Sequence, residues 1–563
     1  ILSMPWAFAL DLSVDLYNGV FDVARIDAGQ TVQTMNFAFE VAQQRRVEAL
    51  VLRLGAGEYT GGRLSDRLAD EVLPLRWEAD AEEPFALKRL EIRGALEADP
   101  TATLIRVVAS ELGFLEVDLP VGSEPRAFRL TISGVTLRGG GRHISIDGST
   151  ADGAGEPAIG TALDIDISNC HFESAQGSVI EVAAGMAAES SIAVRDSSMV
   201  DCATALSVEA LNDAAAEVVF ARNVVRKVLA IEPSGALSGA IQLYAGRGSS
   251  LDAVILNSEI RDASTAIVCG AHERATELNC QIGGNLIYTS VEPPAGIFRS
   301  RFYALHALVL EVPRSVGGQI DWIHNTVFGV TGPVFRLREP DHPKLSVLVS
   351  NSVFWGDETR VLGSLPDAKA LVMAPSNIAP RSSLAEANRA GVRTTDPGFA
   401  DPASDDYSLR ANSSALDLAQ VATTDRLVAL LSEHIDERAD LAGNCRRSQV
   451  GSRGDTLSFP ADLGAYEAPG DCAYEVFLRG DCDSNERQEV SDAIFTFRYL
   501  FLGGAQPLCQ NACDSDDSGS LEISDGIYFL SYLFLGGAPP PAPSRDLGPD
   551  PTPDDLAACP YAL

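Results

Sequence analysis

A chain of 563 residues is too long for one compact core, so it folds either as several domains or as an elongated repeat. At 46 % hydrophobic and 21 % charged residues its composition is that of a globular protein. The net charge of −35 and pI near 4.5 exclude a phosphate-binding surface for nucleic acid, and they fit a protein that binds cations or works in saline surroundings.

At the start, Ile1-Leu2-Ser3-Met4-Pro5-Trp6 leads into Ala7-Phe8-Ala9, an apolar run ending in small-x-small, as a secretory signal ends. Residues 1–9 are therefore expected to be a signal-peptide remnant, with an apolar first strand as the alternative. No run of eighteen apolar residues follows, so no transmembrane helix is expected. Ten cysteines, an even number, suit an oxidising, extracellular setting. Cys170 with Cys202, Cys269 with Cys280 and Cys445 with Cys472 are candidate pairs, leaving Cys482, Cys509, Cys513 and Cys559 for the C-terminal part. Sequence does not fix this connectivity, and no spacing resembles a zinc site.

Residues 10–100 read as an N-terminal cap and first coils. Met35, Phe37, Phe39, Val41 and Ala42 sit at helical spacing, a strand Ala49–Leu54 follows, and Gly55–Tyr59 turns. This order resembles the N-terminal cap of secreted right-handed parallel β-helices. A solenoid end needs such a plug because its first coil otherwise exposes apolar side chains and unpaired backbone.

Residues 101–470 read as the β-helix with its closing segment. Short strands recur around Gly134, Asn169, Asp196, Asn223, Asn257, Asn285, Asn325 and Asn351, roughly 26–40 residues apart, about one three-strand coil each. Asn and Gly tolerate the left-handed conformation that a corner between sheets demands. Three residues after each corner stand Leu137, Phe172, Met199, Arg226, Ile260, Tyr288, Phe328 and Phe354, apolar in all coils but one. A sandwich or propeller would need tight Asn-Gly hairpins, which are scarce. Asp396–Pro402, Asp406–Arg410, Ser413–Asp417 and Asp462-Leu463-Gly464-Ala465-Tyr466-Glu467 resemble the final segments of large secreted bacterial β-helix proteins of the pectin-lyase-like kind. That resemblance implies a fold and a secreted or cell-surface setting, not one activity.

Residues 471–545 carry one sentence written twice, 33 residues apart, and 546–563 form a tail. Each copy is a twelve-residue acidic loop, Asp481–Asp492 and Asp514–Asp525, followed by an apolar helix ending in Tyr-Leu-Phe-Leu-Gly-Gly. Calcium takes six to eight hard oxygens, which such a loop offers at positions 1, 3, 5, 7, 9 and 12. In the first loop these are Asp481, Asp483, Asn485, the Arg487 carbonyl, Glu489 and Asp492. In the second they are Asp514, Asp516, Ser518, the Ser520 carbonyl, Glu522 and Asp525, with Gly519 at the sharp turn where the first loop has Glu486. The pair resembles a type I dockerin, an EF-hand-like α-helical module, in the variant abundant in planctomycete-type bacteria. The resemblance implies two Ca²⁺ ions and a cohesin-like or other cell-surface protein as partner. It also implies a docking role for Val490-Ser491 and Ile523-Ser524 at loop positions 10 and 11.

On the β-helix, Asp164 and Asp166 alternate outward on one strand, Trp322 and Trp355 fall near corners where they could stack on sugar rings, and Asp321 and His324 lie close by. Neither the Gly-His-Gly element of polygalacturonase-like hydrolases nor the Arg-x-Pro-x-x-Arg of pectate lyases occurs. The expected function is therefore a non-catalytic secreted or cell-surface β-helix that binds glycan or protein partners and is attached through the calcium module. The alternative is a polysaccharide lyase or glycoside hydrolase on the same scaffold.

Overall fold

The computed structural model describes residues 20–23, 35–45, 47–62, 71–78, 87–96, 99–120, 126–150, 160–228, 239–290, 306–330, 333–339, 341–356, 371–374, 376–380, 392–416, 418–435, 439–442, 444, 461–467, 476–485, 487–544, 548–549 and 556. The chain divides into two compact units, Ile1–Arg446 with Pro460–Ala468, and Arg447–Phe459 with Pro469–Leu563.

In the first unit the described strands join into three sheets of twelve, eleven and nine strands whose neighbouring pairs are parallel, apart from Phe399–Asp401 and Asp406–Leu409, which form a separate antiparallel pair. Each turn of chain gives one strand to each sheet: Arg126–Ser133, Thr136–Arg138 and Ile144–Thr150 precede Thr161–Ser168, which pairs back onto Arg126–Ser133. This is the topology of a parallel β-helix. Alternation drives it, since Leu163, Ile165 and Ile167 turn inward while Asp164 and Asp166 face out. Stacked coils then align Ile132, Ile167, Val194, Phe220, Ile255, Ile282, Trp322 and Val349 in one buried column.

The corner between the twelve- and eleven-stranded sheets corrects the sequence alignment. Its left-handed residues are Gly134, Asn169, Asp196, Arg222, Asn257, Gly284, His324 and Asn351. In three coils, therefore, the turn precedes the Asn by one position. The inward column reads Leu137, Phe172, Met199, Val225, Ile260, Ile287, Val327 and Phe354, and the apparent exception at Arg226 disappears because Arg226 faces outward.

The displaced Asn residues have another task. Ser197, Asn223, Ser258, Asn285, Asn325, Ser352 and Asn377 are buried behind the corner. Each side-chain oxygen accepts the backbone N–H of its counterpart one coil earlier, at 2.8–3.2 Å from Ser197 N to Ser352 N. The Asn amides of 223, 285, 325 and 377 also donate to buried carbonyls at 2.8–2.9 Å. These six buried corner N–H groups thus have partners, which a tight turn could not supply from its own backbone.

Helix α1 (Met35–Arg45) buries Met35, Ala38, Phe39 and Ala42 in the same core as the first coils, with Phe39 edge-on to Trp77 at 6.2 Å. Strand Val20–Val23 precedes it and pairs with Ala49–Leu54. Helix α2 (Val421–Ile435) sets Leu427, Leu430 and Leu431 against Val254, Leu256 and Ile323 on the outside of the twelve-stranded sheet. Phe399, Tyr407, Leu409, Leu463 and Ala465 cover Leu286, Tyr288 and Val353 on the outside of the eleven-stranded sheet. The last coils are thereby closed over on two of their three outer faces.

Two expected disulfides are absent. Cys170, Cys202, Cys269 and Cys280 are buried free thiols. Cys170 stacks on Ser197, five residues before Cys202, so the two lie about 16 Å apart along the strand direction, far beyond bridging reach. Burial pushes both thiols up to about 12. Cys269 and Cys280 face each other in the core with sulfurs 3.3 Å apart, sharing a thiol hydrogen bond and no disulfide. Cys445, Cys472 and Cys559 lie outside the described residues.

The second unit holds α3 (Val490–Leu502), α4 (Gln510–Cys513) and α5 (Ile523–Leu535), with a short antiparallel pair of Val476–Phe477 and Gly548–Pro549. Helices α3 and α5 meet where Gly526 lies against Phe497; a Cβ there would stand 2.4 Å from the ring. Each helix stops at a left-handed glycine, Gly503 (φ 64°) and Gly536 (φ 68°), as a C-terminal cap requires.

Candidate functional site

The two acidic loops enter α3 and α5 in the same way. Asp492 and Asp525 occupy the third helical position and fold back to accept the backbone N–H of Glu489 and Glu522, each at 2.7 Å. This N-terminal box fixes both carboxylates before any ligand is considered. Asp514 accepts from Ser518 N at 3.0 Å and Gly519 N at 2.8 Å, and Asp481 accepts from Asn485 N at 2.9 Å. Gly519 takes φ 77°, the left-handed turn that lets the second loop wrap around Asp514.

Positions 1, 3 and 12 converge in both copies. One carboxylate oxygen each from Asp481, Asp483 and Asp492 falls within 4.8 Å of the others, and the same holds for Asp514, Asp516 and Asp525. Asp481, Asp492, Asp514 and Asp525 are buried. Burial, with the neighbouring carboxylates adding, pushes Asp492 up to about 6 and Asp525 to about 7, against the pull of the Glu489 and Glu522 N–H groups. Asn485, Arg487, Glu489, Ser518, Ser520 and Glu522 are exposed in the same loops. Glu486 lies outside the described residues.

The residues fit a hard divalent cation. Asp483 and Asp516, at equivalent positions, each carry a buried Oδ1 with no hydrogen-bond partner, so each loop holds an oxygen that protein donors leave unused. Three crowded carboxylates repel unless a cation or protons compensate them, and an all-oxygen donor set suits Ca²⁺ over softer metals.

Two supporting features were not read from the sequence. Cys482 and Cys513 form a disulfide that ties the first loop to the residue before the second. Arg479 is fully buried; its guanidinium donates to the Asp514 carbonyl at 2.9 Å, pairs with Asp517 at 2.9 Å and lies 5.1 Å from the Phe477 ring centroid. A buried, paired arginine one residue before a glycine turn was the only signal available, and sequence does not reveal burial.

On the β-helix the expected surface residues do not gather into a site. Asp164 is paired with Arg129 at 2.6 Å and Asp166 with Arg195 at 3.1 Å, each across to an adjoining coil. Trp322 is fully buried in the core, edge-on to Phe335 at 5.1 Å, which removes it from any surface role. Trp355 is half-buried against the closing segment. Asp321 faces outward beneath α2, where it pairs with Arg426, and His324 meets Thr424 of α2 at 2.9 Å.

No family model matches the chain and no curated protein matches it. Among solved structures it is similar to a PL6-family alginate lyase, AlyGC, at 9 % identity and a TM-score of 0.25, over 68 % of this chain and 54 % of that one. The chain spans about half the length of that lyase. The parallel β-helix stands on the strand pairing itself.

Proposed function

We propose that this is a secreted or cell-surface protein whose right-handed β-helix, plugged by α1, binds glycan or protein partners without catalysis. Its second unit acts as a dockerin-like, EF-hand-type module holding two Ca²⁺ ions and seats the protein on a cohesin-like surface protein. One observation carries the reading: the same three carboxylates converge in both loops. The two helices support it by exposing equivalent apolar residues 33 apart, Ile494 with Ile527, Phe501 with Phe534 and Leu502 with Leu535, each more than half exposed. Right-handedness follows the strong rule for parallel crossovers.

Calorimetric titration with Ca²⁺ tests the module: two sites are expected, and Asp514→Ala with Asp516→Ala removes one. Unchanged stoichiometry in that variant would refute the ligand assignment. A lyase or hydrolase is the second reading, suggested by an outward groove on the nine-stranded sheet whose lining includes Glu209, Glu311 and Arg336. Release of unsaturated or reducing ends from a polysaccharide panel would replace the first reading with this one.

A further inference from the structure

The groove differs from the predicted surface residues because register builds it. Glu209, Tyr244, Gly270 and Glu311 are successive rungs of one outward column. Gln242 and Arg336 stand in the column beside it. Together they line a hollow of about 670 Å³, within the range of roughly 300–1,000 Å³ typical of ligand clefts. Gly270 shapes it. A Cβ there would come 3.0 Å from Tyr244 Cδ2, so the tyrosine ring lies down over this glycine, leaving Tyr244 38 % exposed.

We propose that this groove binds an uncharged glycan chain, with Tyr244 as the platform beneath a sugar ring. The proposal rests on the reading of the β-helix as the glycan-binding unit and adds its place and ligand class. A pyranose presents an apolar C–H face that packs on an aromatic ring, and a rim of hydroxyls that both donate and accept. Glu209 and Glu311 accept from those hydroxyls on either side of the ring, while Gln242 and Arg336 donate to them. Charge selects the class. Two carboxylates outweigh one guanidinium in the lining; outside it, Glu181, itself paired with Arg142, and Asp147 add negative field at Glu209, whose carboxyl is raised by burial first and by these neighbours second, while Arg338 acts on Tyr244 with the opposite sign. A polyuronate or sulfated chain would meet like charge along this face. Glu209 and Glu311 stand three strand spacings apart, about 14 Å. Paired glycosidase carboxylates need about 5–9.5 Å, so the arrangement suits holding a chain more than cutting it.

The test runs the full chain in calcium buffer through affinity electrophoresis gels containing galactomannan, hydroxyethylcellulose or polygalacturonate. Tyr244→Ala and Tyr244→Phe are compared with the wild type, their folding checked by circular dichroism. Retardation by a neutral polymer is expected, weakened about tenfold by Tyr244→Ala and largely kept by Tyr244→Phe. Equal retardation of wild type and Tyr244→Ala, or retardation by polygalacturonate alone, overturns the groove and leaves the broader glycan reading standing. No retardation by any polymer overturns both.

Discussion

The two units bury opposite kinds of residue. In the β-helix the large apolar side chains are inside, with Phe128, Phe172, Phe220, Trp322, Phe335 and Phe354 fully enclosed. In the second unit Phe501, Phe534, Leu502 and Leu535 are 60–80 % exposed, while Asp514, Asp525 and Arg479 are enclosed. Each coil buries an apolar rung against the next, so stability there accumulates with length and needs no ion. The second unit has a small apolar core around Phe477, Cys509 and Ala512 and spends its interior on charge. Such a unit must be held by compensation of that charge and by its Cys482–Cys513 crosslink.

The contrast can be broken most severely with a chelator. Removing calcium is expected to unfold α3 and α5, seen as lost helical circular dichroism, while the β-sheet signal stays. Trp322→Ala attacks the other side: a cavity in the coil core costs about 3–5 kcal/mol in the β-helix transition and leaves calcium binding unchanged. Smaller again, Asn285→Ala strands the Ser258 N–H and the Ile255 carbonyl and costs about 1–3 kcal/mol, measured by denaturant melts.

A further effect is on pH. In the metal-free second unit Asp492 and Asp525 hold their protons to about 6 and 7, above the ordinary carboxylate value of about 4. The folded state then binds more protons than the unfolded one, so this contribution is fully present below about pH 4 and is lost as pH rises through about 6 to 7. Thermal melts of the metal-free protein should show the second unit weakening across that window. With calcium added the trend should reverse, because the ion displaces the same protons.

The coil repeat was legible because its period is carried by residue types that a corner requires. Its exact phase was not. Asn serves both as a left-handed turn residue, as at Asn169 and Asn257, and as a buried ladder residue, as at Asn285 and Asn325, and letters alone do not separate the two. That one-residue ambiguity also hid Trp322: its neighbour Asp321 faces out, so alternation puts Trp322 inside. The converging carboxylates were legible because each trio lies within twelve consecutive residues. The groove was not, since Tyr244, Gly270 and Glu311 stand 26 and 41 residues apart in the sequence and are brought together only by the register of three coils.

An ion is expected to fold the second unit and to leave the coils untouched. Hydrogen exchange followed by mass spectrometry on the full chain, with calcium and with chelator, measures both at once. Chelation is expected to strip protection from peptides spanning 481–535 and to leave those spanning 126–355 unchanged. Protection in 481–535 that is indifferent to chelator, or a loss that extends through the coils, would contradict it.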